Sequence, residues 1–284
     1  MNILLLGATG QVGFELHRAC AMLGSITAPD RSQLDLMNPQ SVDAFLNACK
    51  PQLILNAAAW TAVDAAEEQQ ADAQRLNAEL PAQLAEYATK HNARLVHYSS
   101  DYVYPGTGEQ SWQETSPTAP LSVYGETKLR GDTGILESGA DHLIFRTSWV
   151  YSARGNNFMK TMLRLAKTKT ELNIVADQIG TPTPARLLAE VTLLAIHQQL
   201  PRGLYHLAPK GDTSWHGFAQ EIFRLAQQNI QVNPIPTSAY PTPATRPLNS
   251  RLDVSKLEKA LKIQLPGWQS QLALTLSEYL EQQS

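Results

Sequence analysis

Cysteine is scarce: Cys20 and Cys49 are the only two in 284 residues, and both fall in helix-like segments. That excludes a disulfide-stapled secreted fold, and a reducing cytoplasm is the expected home. Charge is sparse too, at 17% of residues with a net value of -3. The chain therefore lacks the electrostatic footprint of a nucleic-acid or anionic-membrane binder, and neither partner is expected. No run approaches the ~20 apolar residues of a membrane span, and the start MNILLLGATG carries no basic leader or cleavage site. Internal repeats, low-complexity tracts and linkers are also missing. The seven histidines make no metal-ligand spacing, and no G-x-S-x-G nucleophile elbow occurs.

What is present is 43% hydrophobic residues, enough for one large or two modest domains with a real core. In the first half, strand-like and helix-like segments alternate. Short apolar runs at 2–6, 25–28, 53–59, 95–98 and 142–151 are separated by helical patterns near 14–23, 41–48, 66–91 and from 124 onward. Continuous apolar strands between helices predict an α/β fold with a parallel sheet covered on both faces. Beyond residue 151 the pattern turns to helices mixed with Pro-rich loops such as SAYPTPATRPLNSRL. The expected division is a dinucleotide-binding domain at 1–150 and a mainly substrate-binding domain at 151–284, with some later segments free to return to the first.

The motif GATGQVG places Gly7, Gly10 and Gly13 between the first strand and the first helix. Such a triplet supplies a tight turn, a close backbone approach to a pyrophosphate, and close helix–strand packing. The helix N-terminus then meets the anion with its unsatisfied N–H groups. A mere tight turn would use the same residues, but position after an N-terminal strand is the context the dinucleotide reading requires. Farther on, SVYGETKLRGD sets Tyr124 one helical turn before Lys128. An ammonium beside a phenol favours the phenolate and tunes it to move a proton at a carbonyl, although two solvated residues on a helix would look the same.

The Gly-x-x-Gly-x-x-Gly spacing and Tyr124-x-x-x-Lys128 resemble the extended short-chain dehydrogenase/reductases. The blocks NAAAWTAVDAAE (56–67), HYSSDYVYPG (97–106), LSVYGETKLRGD (121–132), FRTSWVYSARGNNF (145–158) and YPTPATRPLNSRL (240–252) are similar to the dTDP-4-dehydrorhamnose reductase family over essentially the whole chain. The resemblance implies a Rossmann-like doubly wound parallel sheet with a smaller C-terminal substrate-binding domain. It also implies NAD(P)H-dependent reduction of the C4 ketone of a dTDP-sugar. Tyr124 would be the proton donor, Lys128 would tune that phenol and hold the nicotinamide ribose, and Ser100 would orient the substrate oxygen. The family usually has threonine where Ser100 stands, so the hydroxyl remains and one methyl is lost.

By the same resemblance the cofactor contacts fall on Gly10, Gln11, Val12, Asp30, Asp35, Leu36, Ala59, Trp60, Thr61 and Tyr98, beside Gly7 and Gly13. An acid about twenty residues past the glycines favours NADH, whereas Arg31 next to Asp30 suits a 2′-phosphate, so NADPH and NADH both stay open. Substrate contacts fall on Ser100, Asp101, Trp149, Thr61 and Val63. Arg246 is suited to a diphosphate, and the bland alternatives are core packing for Trp149 and surface exposure for Arg246. Asn156 and Asn157 either touch substrate or cap the next helix. Some relatives dimerise around a magnesium held by three glutamates. Here Glu15 and Glu278 match two of the positions, but Arg186 stands at the third, with Glu190 one turn on. A guanidinium repels the ion, so no magnesium is expected, and Arg186 would instead pair with Glu15 and Glu278 or belong to unrelated surface charges. A homodimer stays open. Two other readings remain: a catalytically silent dinucleotide-binding subunit, which has no need of a tuned phenol, and a reductase or epimerase acting on another nucleotide sugar.

Overall fold

The computed structural model describes residues 1–283. The apolar runs become β1 (Asn2–Leu6), β2 (Ser25–Thr27), β3 (Leu53–Asn56), β4 (Arg94–Ser100) and β5 (Asp141–Thr147) of one parallel sheet, completed by a sixth strand, Gly203–His206. Across the sheet the order is Gly203–His206, β5, β4, β3, β1, β2. The helices are α1 (Gln11–Ala19), α2 (Pro39–Cys49), α3 (Val63–Glu68), α4 (Gln70–Gln74), α5 (Leu80–His91), α6 (Val123–Glu137), α7 (Phe158–Ala166), α8 (Ala185–His197), α9 (Trp215–Leu225), α10 (Ser255–Leu261) and α11 (Trp268–Glu281).

Successive strand residues point to opposite faces, so the same runs feed two cores. Ile3, Leu5, Leu55, Val96 and Phe145 pack under α1, α8 and α10, while Leu4, Leu6, Ile54, Leu95 and Ile144 pack under α2 and α5. A third core, around Tyr151, Met159, Phe218, Trp268 and Leu272, belongs to α7, α9 and α11. From β1 the chain winds outward to β2 and then crosses back to β3, so the direction of winding reverses at β1. The crevice at the carboxyl ends of β1 and β3 is the topological switch point, where ligands bind in such sheets.

Three elements depart from the sequence pattern, and each departure shapes that crevice. The run at 53–59 stops pairing early: β3 ends at Asn56, and Ala57 makes the last bond to Leu6. Beyond it Asn77 captures the loop, accepting from the Trp60 N–H and donating to the Trp60 carbonyl. The helical stretch 66–91 is split into α3, α4 and α5, with a π turn at Arg75–Glu79. Pro81 explains the widening, because its ring has no N–H to give the carbonyl of Asn77 four residues back and clashes with it in an α-helix. The run at 142–151 breaks after Thr147, where Trp149 turns the chain at φ 48 and Val150–Tyr151 pairs instead with Thr183–Pro184.

Candidate active site

The glycine motif forms a cradle. Gly7 sits at φ 77, and a Cβ there would come within 2.7 Å of the Ala58 nitrogen. On Gly13 a Cβ would lie 2.0 Å from the Gly7 carbonyl, so only glycine lets α1 lie this close to β1. Gly10 caps α1 without a side-chain hydrogen bond, and the first turn holds no acidic residue. The N–H groups of that turn are thus left to an anion, which is the fit a dinucleotide pyrophosphate requires. Gln11 and Val12 are half-buried behind it. Gln11 Oε1 accepts from Ser152 and from Asn157 Nδ2 (2.9 Å), tying the cradle to the second half of the chain. Asn157 also accepts from the Lys160 N–H and so caps α7, while Asn156 is exposed.

Around the rest of the crevice, Ala59 and Trp60 are half-buried and Thr61 is exposed on the loop fixed by Asn77. Asp30 is exposed, and its Oδ1 accepts from the Ser32 N–H and hydroxyl and from the Gln33 N–H, bonds that hold the carboxyl below its ordinary value. Those bonds turn the carboxylate into its own loop, with Arg31 exposed beside it. Asp35 accepts from the Met37 N–H, and the Leu36 carbonyl accepts from Arg75. The Tyr98 phenol is turned away from the crevice into the core, 2.7 Å from Thr192 Oγ1, so the contact expected of Tyr98 reduces to its backbone.

Ser100 and Tyr124 meet where β4 ends against α6, and Lys128, one helical turn on, reaches β4 two residues earlier. Ser122 caps α6 by accepting from the Gly125 N–H, which sets the helix start so that Tyr124 and Lys128 face the sheet. The Tyr124 phenol is hydrogen-bonded to Ser100, which also donates to Asp101 Oδ1 at 3.0 Å. Burial raises the phenol above its ordinary value, Asp101, Tyr102 and Asp132 add to that rise, and the Ser100 bond opposes it. Lys128 is 2% exposed, and its Nζ donates to the Tyr98 carbonyl at 2.6 Å and to His97 Nε2 at 3.4 Å. Burial lowers this ammonium to about 8, against the pull of Asp132. This corrects the expected pairing: the structure engages Lys128 with β4, and the group that favours the phenolate is Ser100. A phenol kept protonated is what a proton donor needs.

On the substrate side, burial pushes the Asp101 carboxyl up to about 6, against bonds from Ser250 and Ser100. Trp149 stacks on Trp215 with ring centroids 3.7 Å apart, and a Cβ on Gly180 would press into its indole at 2.8 Å. The positive φ of a bulky residue held between these neighbours is strain that the surroundings impose. Arg246 does not stand free: its Nη2 pairs with Asp64 Oδ2 at 2.7 Å, it bonds Tyr102, and among the described residues its buried Nη1 has no partner. Val63 opens α3 beside that pair. Asn77, His97, Asp64 and Trp215 were not singled out from the sequence. Pro81 within a helical pattern was the one signal that could have pointed to Asn77.

The charges of α1, α8 and α11 come together. Arg186 lies 3.8 Å from Glu278 and 3.5 Å from Glu190, whereas Glu15 pairs with Arg18, which also reaches Glu278 at 4.0 Å. Burial raises the Glu15 carboxyl, with Arg18 and Arg186 opposing it.

The RmlD substrate binding domain family matches residues 1–281. A dTDP-4-dehydrorhamnose reductase of Shigella flexneri is 48% identical over 98% of this chain and 98% of its own. Among solved structures, a dTDP-4-dehydrorhamnose reductase of Clostridium acetobutylicum superposes with a TM-score of 0.94 at 37% identity, covering 99% of this chain and 100% of that one. A Bacillus anthracis reductase of the same name, in complex with NADP, gives 0.93 at 34% identity, covering 98% and 99%.

Proposed function

The chain belongs to the RmlD substrate binding domain family, and from that premise we propose that it reduces the C4 ketone of dTDP-4-dehydro-β-L-rhamnose to dTDP-L-rhamnose with NADPH or NADH. The observation that carries the reading is the Tyr124–Ser100 hydrogen bond at the end of β4, with buried Lys128 held on the Tyr98 carbonyl two residues earlier, in a sheet whose β1 runs into the uncapped start of α1. The reduced nicotinamide, when bound, supplies the hydride. Ser100 would donate a hydrogen bond to the ketone oxygen and align it with Tyr124. Tyr124 would give its proton to the oxygen as charge develops there, so that the alkoxide never stands unprotected in a buried site. Lys128, held on β4, has a third N–H left for the ribose.

The cofactor would lie over Gly7, Gly10, Gln11, Val12 and Gly13, flanked by Ala59, Trp60 and Thr61, with Asp30, Asp35 and Leu36 at the adenosine end. The NADP complex of the Bacillus anthracis relative supports NADPH. So does Asp30, whose carboxylate is spent on its own turn and leaves Arg31 for a 2′-phosphate. The deoxysugar would lie against Trp149, with Asp101, Thr61 and Val63 around it and Arg246 Nη1 toward the diphosphate. The proposal keeps the division at 150/151 and a cytoplasmic setting, which the two free cysteines suit, and among the described residues no helix is long and apolar enough to cross a membrane. The dTDP-sugar is the partner and nucleic acid is not, with a homodimer the remaining assembly. The test is loss of 340-nm absorbance from NADPH on adding enzymatically made dTDP-4-dehydrorhamnose, with dTDP-L-rhamnose recovered. No oxidation of NADPH or NADH with that sugar would overturn the reading.

A further inference from the structure

Directly beneath Lys128 lies a buried pair that the proposed chemistry does not use. His97 and Asn56 are 0% and 1% exposed, on the adjacent strands β4 and β3. His97 Nδ1 lies 3.1 Å from Asn56 Nδ2, and Nε2 lies 3.4 Å from Lys128 Nζ. An ammonium only donates, so Nε2 must be the bare nitrogen and Nδ1 must carry the proton. Nδ1–H then needs an acceptor, which the Asn56 side chain provides through Oδ1. That orientation exchanges the amide's two ends: with Nδ2 toward Nδ1 it is Oδ1 that lacks a partner among the described residues, and with Oδ1 toward Nδ1 it is Nδ2, so the exchange leaves one amide atom unpaired either way. The three groups thus form one directed chain, Lys128 to His97 to Asn56. With the Tyr98 carbonyl it fixes two of the three ammonium protons.

We propose that His97, set in its Nδ1–H tautomer by Asn56, is a positioning residue that holds the Lys128 ammonium and leaves its third proton for the cofactor ribose. The inference rests on the reductase reading for its effect on turnover, but not for the tautomer. The charged and titratable groups around Lys128 are His97 on β4, Tyr124 and Asp132 on α6, and Arg146 on β5 behind Asp132. Burial and the neighbouring ammonium hold His97 far below its ordinary value, so it stays neutral and accepting while Lys128 titrates.

Two measurements test this. Long-range 15N–1H correlation spectra of the full-length protein without substrate should show, beside the Nδ1–H imidazoles of His142 and His206 that face backbone carbonyls, a further buried Nδ1–H imidazole, unchanged from about pH 6 to 9 and absent in His97→Gln. An Nε2–H tautomer at His97 would overturn the proposal whatever the protein's substrate. In turnover with the dTDP-sugar, His97→Met fills the space without an acceptor. It should lower kcat about tenfold and move the alkaline limb of the kcat profile to lower pH, because the ammonium loses a bond to its charged form. His97→Gln, whose amide oxygen can take the place of Nε2, should recover most of both. A His97→Met enzyme with the wild-type limb, or a His97→Gln enzyme no better than it, would overturn the proposal. Absence of turnover in the wild type would sink only the reductase reading.

Discussion

Lys128 and Asp101 are buried and Tyr124 is half-buried, and desolvation moves each toward its neutral form. For the phenol that direction is useful, since only the protonated ring can give a proton. Tyr124→Phe should therefore lose about 10²–10⁴-fold in kcat, the usual worth of a positioned acid, while NADPH binding by fluorescence stays near wild type. Lys128 must be charged to serve, so kcat should fall as pH rises through about 8. Lys128→Met should be slow at every pH and lack that limb, which moves its optimum upward. Asp101 has a folded value above its unfolded 3.8, so it favours the fold below that pH and loses this contribution as pH rises through about 6. Asp101→Asn should accordingly be more stable than wild type near neutral pH, by on the order of 2–3 kcal/mol, with the gap closing toward pH 4. Calorimetry across that range checks the sign. Ser100, Tyr124 and Lys128 were legible as candidates only through the family resemblance, because the Tyr-x-x-x-Lys spacing alone suits two solvated residues on a helix. His97 and Asn77 were not, because a polar residue inside an apolar run gives no pattern until its partners are known.

Strands and helices were largely legible, since the apolar runs that bury both faces of a parallel sheet are hard to mistake. Their ends were not, because a premature end is imposed by a particular side chain that the apolar pattern does not register. Asn77 stops β3 by holding Trp60, and the π turn that presents Asn77 exists because Pro81 cannot close the helix. The same π turn rests on α6: a Cβ on Gly131 would lie 2.1 Å from the Asn77 carbonyl. Gly131→Ala must push the two helices apart. It should cost about 1–3 kcal/mol of stability and, by loosening Trp60, weaken NADPH binding measured by fluorescence titration. Unchanged cofactor affinity in a destabilised variant would separate the two roles of that turn.

Across the whole molecule, three carboxylates and two guanidiniums gather where α1, α8 and α11 meet. Arg18 and Arg186 already engage Glu15, Glu190 and Glu278, and a divalent cation would have to displace them against their charge. Activity should be indifferent to EDTA, and loss restored by magnesium would overturn that expectation. The sixth strand, Gly203–His206, carried no signal of its own, since four residues among Pro-rich loops do not announce which sheet they join. It lies beside β5 and sends His206 2.7 Å from the Tyr104 hydroxyl, which in turn takes a bond from Arg146, itself paired with buried Asp132 at 2.9 Å. During synthesis on the ribosome, everything needed for the cofactor cradle emerges some fifty residues before this strand does. Until it arrives, β5 presents a bare row of backbone groups to any neighbouring nascent chain. Release of the product truncated before Gly203 should therefore yield aggregate, whereas the complete chain seals its own margin with a piece of its second half.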